Sequence, residues 1–220
     1  MFHRPTLTLL LCLLPGLALA ADTMYRLDPV HTRVLFAIEH AGFSSALGTV
    51  SGSEGELHFD PGQWEAARLD VRVPLERLDL GDDKWNKAAL ARNLLDGRNF
   101  PQARFVSTQV LPVDDTHARV IGQLTLRGVS REVVLDVTLN ALKRHPMPPF
   151  RRTAGFTATT ALSRRDFGIT AWPGMIGDTV QLRMEVEAVR DRSGGDAETP
   201  APASPSDSPD DATPDDRSIP

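Results

Sequence analysis

The side chains of this sequence that could perform acid–base or metal chemistry are mainly histidines, and they stand far apart. After His3, histidines occur at positions 31, 40, 58, 117 and 145. No two of these are two or four residues apart, and no H-E-x-x-H pattern is present, so we predict no metal site. Either His31 or His40 could act as a general base, but only in a cleft that also supplies a second polar group.

Motifs for covalent catalysis and for phosphate binding are missing from the sequence. It contains no G-x-S-x-G and no glycine-rich phosphate loop. Its single cysteine, Cys12, lies in an apolar N-terminal segment. The pairs Arg151-Arg152 and Arg164-Arg165 lack interleaved aromatic residues, so we interpret them as solvated strand ends rather than an anion site. These features favour a binding protein over an enzyme and predict no cofactor.

The two ends of the chain differ in composition from its middle. An apolar run at 7–19 followed by a small residue predicts a cleaved signal peptide at 1–20, and hence a periplasmic or secreted protein. Residues 193–220 carry seven acids, one arginine and six prolines, which predicts a disordered acidic tail. The net charge of −5 belongs to this tail, so the single domain at 21–192 is neutral and has no long-range attraction for nucleic acid.

Alternation of apolar and polar residues dominates the middle of the chain. The segments that show it are 34–38, 57–59, 69–73, 104–111, 117–126, 130–142, 153–163 and 179–190. A period of two with one polar face is typical of antiparallel strands that cover a core. Turn sequences such as Asp60-Pro61-Gly62 and Arg127-Gly128 separate these segments. We therefore predict about eight or nine strands.

One segment departs from this alternation and predicts the only helix. Residues 80–95 place Trp85 and several leucines at helical spacing, with Asp79 or Asp82 as the N-cap and an end near 96–97. Successive antiparallel strands with one helical insertion predict an all-β fold, an antiparallel β-barrel of about eight strands, because closure removes exposed strand edges. A β-sandwich with Greek-key connections is the alternative.

The inward faces of the predicted strands mix large and small residues. The small ones are Gly122, Ala154, Gly155, Ala158 and Thr160. A barrel filled only by its own side chains would favour bulky branched residues at these positions. The composition of the inward faces therefore indicates an interior with room for a guest molecule.

Seven motifs follow one another in order along residues 24–190. They are Tyr25-Arg26-Leu27-Asp28 with His31, Phe36 through Phe43 leading to Gly48-Thr49-Val50, Asn99 through Phe105, Gly122 through Val129, Ala154-Gly155-Phe156, Asp166-Phe167-Gly168-Ile169 and Gly177-Asp178. In this order and spacing they resemble the YceI-like family of polyisoprenoid-binding, lipocalin-like periplasmic proteins. The proline-rich segment 145–150 and the acidic tail depart from the family pattern.

The resemblance implies a lipocalin-like barrel that holds an isoprenoid lipid, such as a quinone or polyprenyl chain, or another long-chain amphiphile. It further suggests a homodimer, and a lipid ligand allows transient membrane contact. We predict that the headgroup lies at a polar mouth near His31 and His40. The predicted lumen residues are Phe36, Ile38, Phe43, Trp85, Leu90, Leu94, Phe100, Phe105, Leu124, Phe156, Phe167 and Trp172.

Three functions are compatible with these features. The first is a protein that carries or sequesters an isoprenoid lipid in its lumen. The second is an enzyme that acts on a lipid headgroup with His31 or His40 as general base. The third is a stress-related interaction module that uses the exterior of the barrel and the acidic tail.

Overall fold

The computed structural model describes residues 23–191, so the predictions for the signal peptide at 1–20 and the tail at 193–220 lie outside the described residues. These residues form eleven antiparallel strands: β1 (Met24–Leu27), β2 (Arg33–His40), β3 (Ser44–Ser51), β4 (Glu54–His58), β5 (Arg68–Pro74), β6 (Leu78–Asp79), β7 (Gln102–Pro112), β8 (His117–Leu126), β9 (Val129–Arg144), β10 (Arg152–Ser163) and β11 (Ile176–Arg190). One helix, α1 (Asp83–Ala89), and 3₁₀ turns at Trp64–Ala66, Leu75–Arg77 and Arg164–Phe167 complete the fold. Neither α1 nor any of these turns has the length and apolar composition that spanning a bilayer requires.

The sheet closes into a barrel because β1 pairs with β11, where Leu27 lies opposite Ala188. Eleven strands fill eight positions around the barrel, because three of the positions are each shared by two strands. β1 and β2 share the position beside β11. β4, which pairs with β1, and β3, which pairs with β2, share the next position, and β5 and β6 share the one after it. The predicted antiparallel barrel with one helical insertion is confirmed, and the β-sandwich alternative is wrong.

An aspartate-centred turn separates β1 from β2. The backbone N–H of Val30 donates to Asp28 Oδ1 at 2.8 Å, and that of Thr32 donates to the Asp28 carbonyl at 2.9 Å. The buried Thr32 hydroxyl then donates to the Glu187 carbonyl and accepts from the Glu187 N–H, both at 3.3 Å. These bonds hold both strands against β11, so the interruption does not open the barrel.

Two groups of connections define the ends of the barrel. The terminal end comprises Thr23, Asp191 and the connections at 59–67, 113–116 and 145–151, and the helix end comprises the turn at 41–43, α1 and the segments at 90–101, 127–128 and 164–175. At the terminal end, Phe59, Trp64 and Phe156 form a buried aromatic trio inside the barrel. Phe59 meets Trp64 and Phe156 edge to face, with ring centroids 4.9 and 5.3 Å away.

The helix is shorter than the predicted 80–95. Its N-cap is Asp82, which is one of the two predicted candidates. Oδ1 of Asp82 accepts from the N–H groups of Lys84 and Trp85 at 2.9 and 3.1 Å. The helix ends at Ala89, since the following chain turns to pack Leu94 and Leu95 against the core. No side chain of α1 is fully buried, so it forms a loosely packed cover over the helix end.

The alternating segments of the sequence correspond to eight of the eleven strands. β1 and β6 are only four and two residues long, too short for a period to show. β3 reads SSALGTVS, in which serine and glycine obscure the inward positions. The predicted count of eight or nine strands is therefore too low, but the barrel of about eight strands is confirmed because each of these three shares a barrel position with another strand.

Candidate ligand-binding cavity

The barrel encloses a cavity of about 510 Å³ to which every one of the eleven strands contributes. The inward residues that line it are almost all aliphatic or aromatic, because each strand turns alternate side chains to the interior. Val34 on β2, Val133 on β9 and Met184 on β11 are typical of the wall. An apolar molecule in this cavity would therefore lose contact with water along its length.

Eight of the twelve predicted lumen residues line the cavity wall: Phe36, Ile38, Trp85, Leu94, Phe105, Leu124, Phe156 and Phe167. They come from strands, from the helix and the segment after it, and from the 3₁₀ turn before β11, which are far apart in the sequence. The fold brings them together on one continuous surface. Contact with a ligand remains a prediction for all eight.

The other four predicted lumen residues lie elsewhere, which corrects the prediction. Phe43 is 92% exposed at the turn between β2 and β3, and Trp172 is 57% exposed in the loop before β11. Leu90 and Phe100 are half-buried and pack outside the cavity, over Gly97 and Gly128 respectively. Aromatic or apolar type predicted burial correctly for strand positions, but the loops turn these side chains away from the interior.

Two glycines keep the cavity open by letting aromatic rings lie against the strands. A Cβ atom at Gly48 would stand 2.2 Å from Cζ of Phe36, and one at Gly122 would stand 2.5 Å from Cζ of Phe105. Each ring therefore occupies the space that a side chain would need. Gly122 acts in this way rather than as a lining residue.

Of the other small residues predicted to face the interior, two lie on the cavity wall. Ala158 and Thr160 line it, whereas Ala154 and Gly155 do not. Ala154 is fully buried among core side chains, and a β-bulge between Gly155 and Phe156 shifts the pairing with β9 at this point. The interpretation of a roomy interior therefore holds for the middle of β10 but not for its beginning.

The mouth of the cavity lies at the helix end, where Glu39, His40, Trp85 and Ala88 line it. Among the described residues, four of those that line the cavity are exposed. Three of them, Glu39, Trp85 and Ala88, lie at the helix end, and the fourth is Arg68 at the start of β5. The rings of His40 and Trp85 lie 5.3 Å apart and are tilted by 43°. His40 thus lies at the mouth, where contact with a headgroup stays a prediction, and within residues 23–191 no second polar side chain hydrogen-bonds to its ring.

His31 is not at the mouth, which corrects the prediction for this residue. It lies outside the cavity, and its Nδ1 is 2.7 Å from Oδ2 of Asp28. This hydrogen bond to Asp28 raises the pKa of His31, and the negative charges of Asp28 and Glu187 add to the effect. His31 therefore stabilises the turn between β1 and β2 from the outer surface of the barrel.

Asp28, His31 and Glu187 also form the one group among the described residues whose donor atoms could share a metal ion. Their ligand atoms lie within 4.8 Å of one another. Long-range pairing brings Glu187 to this group, which is why spacing in the sequence did not reveal it. All three lie on the outer surface. The hydrogen bonds that Asp28 makes in the turn between β1 and β2 already account for its contact with His31.

Arg164 is not a solvated strand end, which corrects the prediction for this residue. Its side chain is only 4% exposed, and burial lowers its pKa. Its guanidinium group donates to the carbonyls of Ile169, Ile176 and Gly177 at 2.7–2.8 Å. Arg164 thereby ties the turn after β10 to the start of β11 beside the mouth. The nearby Asp-Phe-Gly-Ile motif was the only signal in the sequence that this segment is specialised.

Comparison with known families identifies the domain. The family model of the YceI-like domain matches residues 25–188, which is nearly all of the described chain. The chain belongs to the YceI-like family. A UPF0312 protein of Pseudomonas savastanoi pv. phaseolicola is 34% identical to this YceI-like chain over 175 residues, which cover 80% of the chain and 90% of the relative.

Solved structures share the fold of this YceI-like protein. BcnA of Burkholderia cenocepacia superposes with a TM-score of 0.66 at 21% identity, covering 73% of this chain and 98% of BcnA. A polyisoprenoid binding domain from Saccharophagus degradans, implicated in plant cell wall breakdown, gives a TM-score of 0.57 at 14% identity, with 76% and 98% of the two chains covered.

Proposed function

We propose that this YceI-like protein binds the long apolar chain of an isoprenoid lipid in its barrel and carries or sequesters it in the periplasm or outside the cell. The observation that carries the proposal is the apolar cavity of about 510 Å³. This volume lies within the range of about 300–1,000 Å³ that is usual for ligand pockets. The polyisoprenoid binding domain from Saccharophagus degradans, which has the same fold, supports the choice of an isoprenoid over other apolar chains.

The apolar wall favours a ligand that enters tail first. Burial of about 20 carbons would contribute roughly 16 kcal/mol relative to water, at ~0.8 kcal/mol per carbon. Transfer from a bilayer changes little, however, because the tail moves between two apolar surroundings. A small net free energy suits a carrier, which must both load and release its ligand. The headgroup then lies at the mouth beside His40 and Trp85.

Organic extraction of the purified protein, followed by mass spectrometry, tests this function. We expect a co-purifying prenyl lipid in an amount comparable to that of the protein. The absence of any lipid, together with no uptake of an added prenyl quinone, would contradict the proposal. The same extract shows whether a different amphiphile fills the cavity.

Two tryptophan substitutions, one inside the barrel and one outside, test whether the cavity is the binding site. Ala46 is half-buried on the wall near the mouth, so Ala46→Trp would fill space that the ligand needs. Ala161 is exposed on the outside of β10, so Ala161→Trp adds the same bulk without entering the cavity. We expect Ala46→Trp to lower the lipid content of the purified protein at least tenfold and Ala161→Trp to leave it unchanged. Equal lipid content in both variants would place the ligand elsewhere.

A further inference from the structure

The helix end exposes large apolar side chains around the mouth of the cavity. Phe43 is 92% exposed, and Trp172, Met175 and Trp85 are 57%, 50% and 43% exposed. These four residues are called the rim below. On the outer face of the adjoining strand β3, Leu47 is exposed as well. Exposure of this kind has a cost in water, which a partner surface would offset.

Hydrogen bonds and ring contacts connect the rim into one surface. The Ala41 N–H donates to the Met175 carbonyl at 2.7 Å, which joins the turn of Phe43 to the loop of Trp172. The Met175 N–H in turn donates to the Trp172 carbonyl at 3.0 Å. On the other side of the mouth, the His40 ring contacts Trp85 of α1. The rim therefore surrounds the mouth from the turn, the loop and the helix.

The backbone at Trp172 is unfavourable for the residue it carries. Its φ is +56°, in the left-handed region where glycine or asparagine is usual and a bulky side chain is strained. The strained backbone holds an indole ring that is mostly exposed to solvent, so burial within the chain does not compensate for the strain. A role for this ring in contact with another surface would explain why a tryptophan is found there.

We propose that the rim docks on a lipid bilayer and places the mouth against it, an inference that rests on the proposed function. Tryptophan favours the membrane interface, and tryptophan and phenylalanine are both typical of apolar faces that are buried at the boundary of headgroups and acyl chains. The bilayer is also the phase that holds a prenyl lipid. Around α1, Asp82 and Asp83 balance Lys84 and Lys87, so the helix itself adds no net charge to the apolar contact that the rim provides.

The terminal end supplies a matched control. Phe150 is also a bulky residue with positive φ, at +54°, and it is 50% exposed. The mouth lies at the opposite end of the barrel, so insertion of Phe150 into a bilayer would not bring the mouth to its lipids. Trp172→Gly and Phe150→Gly therefore relieve the same backbone strain at opposite ends of the barrel.

Flotation with phosphatidylcholine vesicles tests the proposal, using protein recovered after export whose N-terminus has been determined by mass spectrometry. We expect Trp172→Gly and the surface variant Phe43→Ser each to reduce partitioning into vesicles about tenfold, the effect of withdrawing one ring from apolar contact. Phe150→Gly should stay within about twofold of the parent chain. The melting temperature of Trp172→Gly should not fall below that of the parent, and added salt should change partitioning little.

Three outcomes would overturn the inference. The first is a parent protein that does not bind vesicles. The second is an equal loss of binding in Phe150→Gly. The third is a dimer that Phe43→Ser dissociates, because the rim would then be covered by a second copy of the chain. A prenyl lipid in the extract of the parent protein would leave the proposed function intact in each case, so the two failures are distinguishable.

Discussion

Both ends of the barrel carry aromatic side chains, but the two ends use them differently. At the terminal end, Phe59, Trp64 and Phe156 are buried and meet edge to face, although Phe150 in the connection before β10 is exposed. At the helix end, Trp85 and Trp172 are exposed around the mouth, and α1 buries no side chain fully. Aromatic burial at the first end stabilises the closed barrel. Aromatic exposure at the second leaves the cavity accessible to a ligand.

The largest expected effect is on the free energy of unfolding, when one aromatic ring is removed from each end. Phe59→Ala removes a side chain that is 2% exposed, and we expect a loss of about 3–5 kcal/mol in the free energy of unfolding. Trp85→Ala removes a ring that is 43% exposed, and we expect a loss of about 1 kcal/mol or less. Urea denaturation measures both. Similar losses in the two variants would mean that α1 is packed as firmly as the trio.

A smaller effect is expected at Gly48, where the ring of the wall residue Phe36 lies over a strand glycine. Gly48→Ala would place a Cβ atom 2.2 Å from the Phe36 ring, so the ring must move into the cavity, at a cost of about 1–3 kcal/mol. The variant should also contain less lipid. Gly174→Ala is the control, since no atom lies within 4 Å of its added Cβ. Denaturation and extraction of both proteins would show whether the space at Gly48 is needed.

The helix cap offers a test of about 1 kcal/mol. Asp82→Ala removes the acceptor for the N–H groups of Lys84 and Trp85, which should destabilise α1 by this amount. Because α1 covers the mouth, we expect faster exchange of a fluorescent prenyl ligand with little change in the melting temperature of the barrel. Exchange at the parent rate would show that α1 does not limit access to the cavity.

The smallest effect concerns pH and the turn between β1 and β2. The Asp28 hydrogen bond raises the pKa of His31 above its usual 6.5, so the stabilisation it provides is complete below that pH and is lost as the pH rises through the raised value. Burial raises the pKa of Asp28, but hydrogen bonds from His31 and the Val30 N–H outweigh it, so the pKa falls below 3.8. The contribution of Asp28 is therefore lost as the pH falls through that lowered value.

Between pH 3.8 and 6.5 both contributions are present. The difference in stability between the parent chain and His31→Ala should be greatest in this window and should shrink toward alkaline pH. Thermal denaturation across the pH range measures it. A difference that persists unchanged at alkaline pH would contradict the assigned ion pair.

Much of the fold could be predicted from sequence because alternation reports directly on barrel strands. The eight alternating segments all became strands, and Asp82 was recognisable as a cap because its side chain acts locally. Leu90 could not be placed, since helical spacing continues past the point where tertiary packing ends α1. Local signals thus predicted the local structure, but not where long-range packing overrides it.

The candidate site was predictable to the extent that it is built from strands. Phe36 and Phe105 lie on inward positions of alternating segments and line the cavity, whereas Phe43 and Trp172 lie in loops, where no period indicates direction. Arg164 was misjudged because its acceptors are backbone carbonyls, which carry no sequence signature. The proximity of Glu187 to His31 depends on long-range strand pairing, which likewise leaves no local signal in the sequence.

The pairing of β1 with β11 has a consequence for the order of events during synthesis. Some 160 residues separate Leu27 from its partner Ala188, and β2 also depends on β11 for one of its neighbours. The ribosome makes β11 last of these strands, so in a nascent chain that lacks it β1, β2 and β10 are each without one pairing partner. Because pairing between residues so far apart in the sequence is slow, we expect β1 and β11 to pair only after translation has passed residue 190. Until that moment the apolar side chains that line the cavity lie on the face of an open sheet.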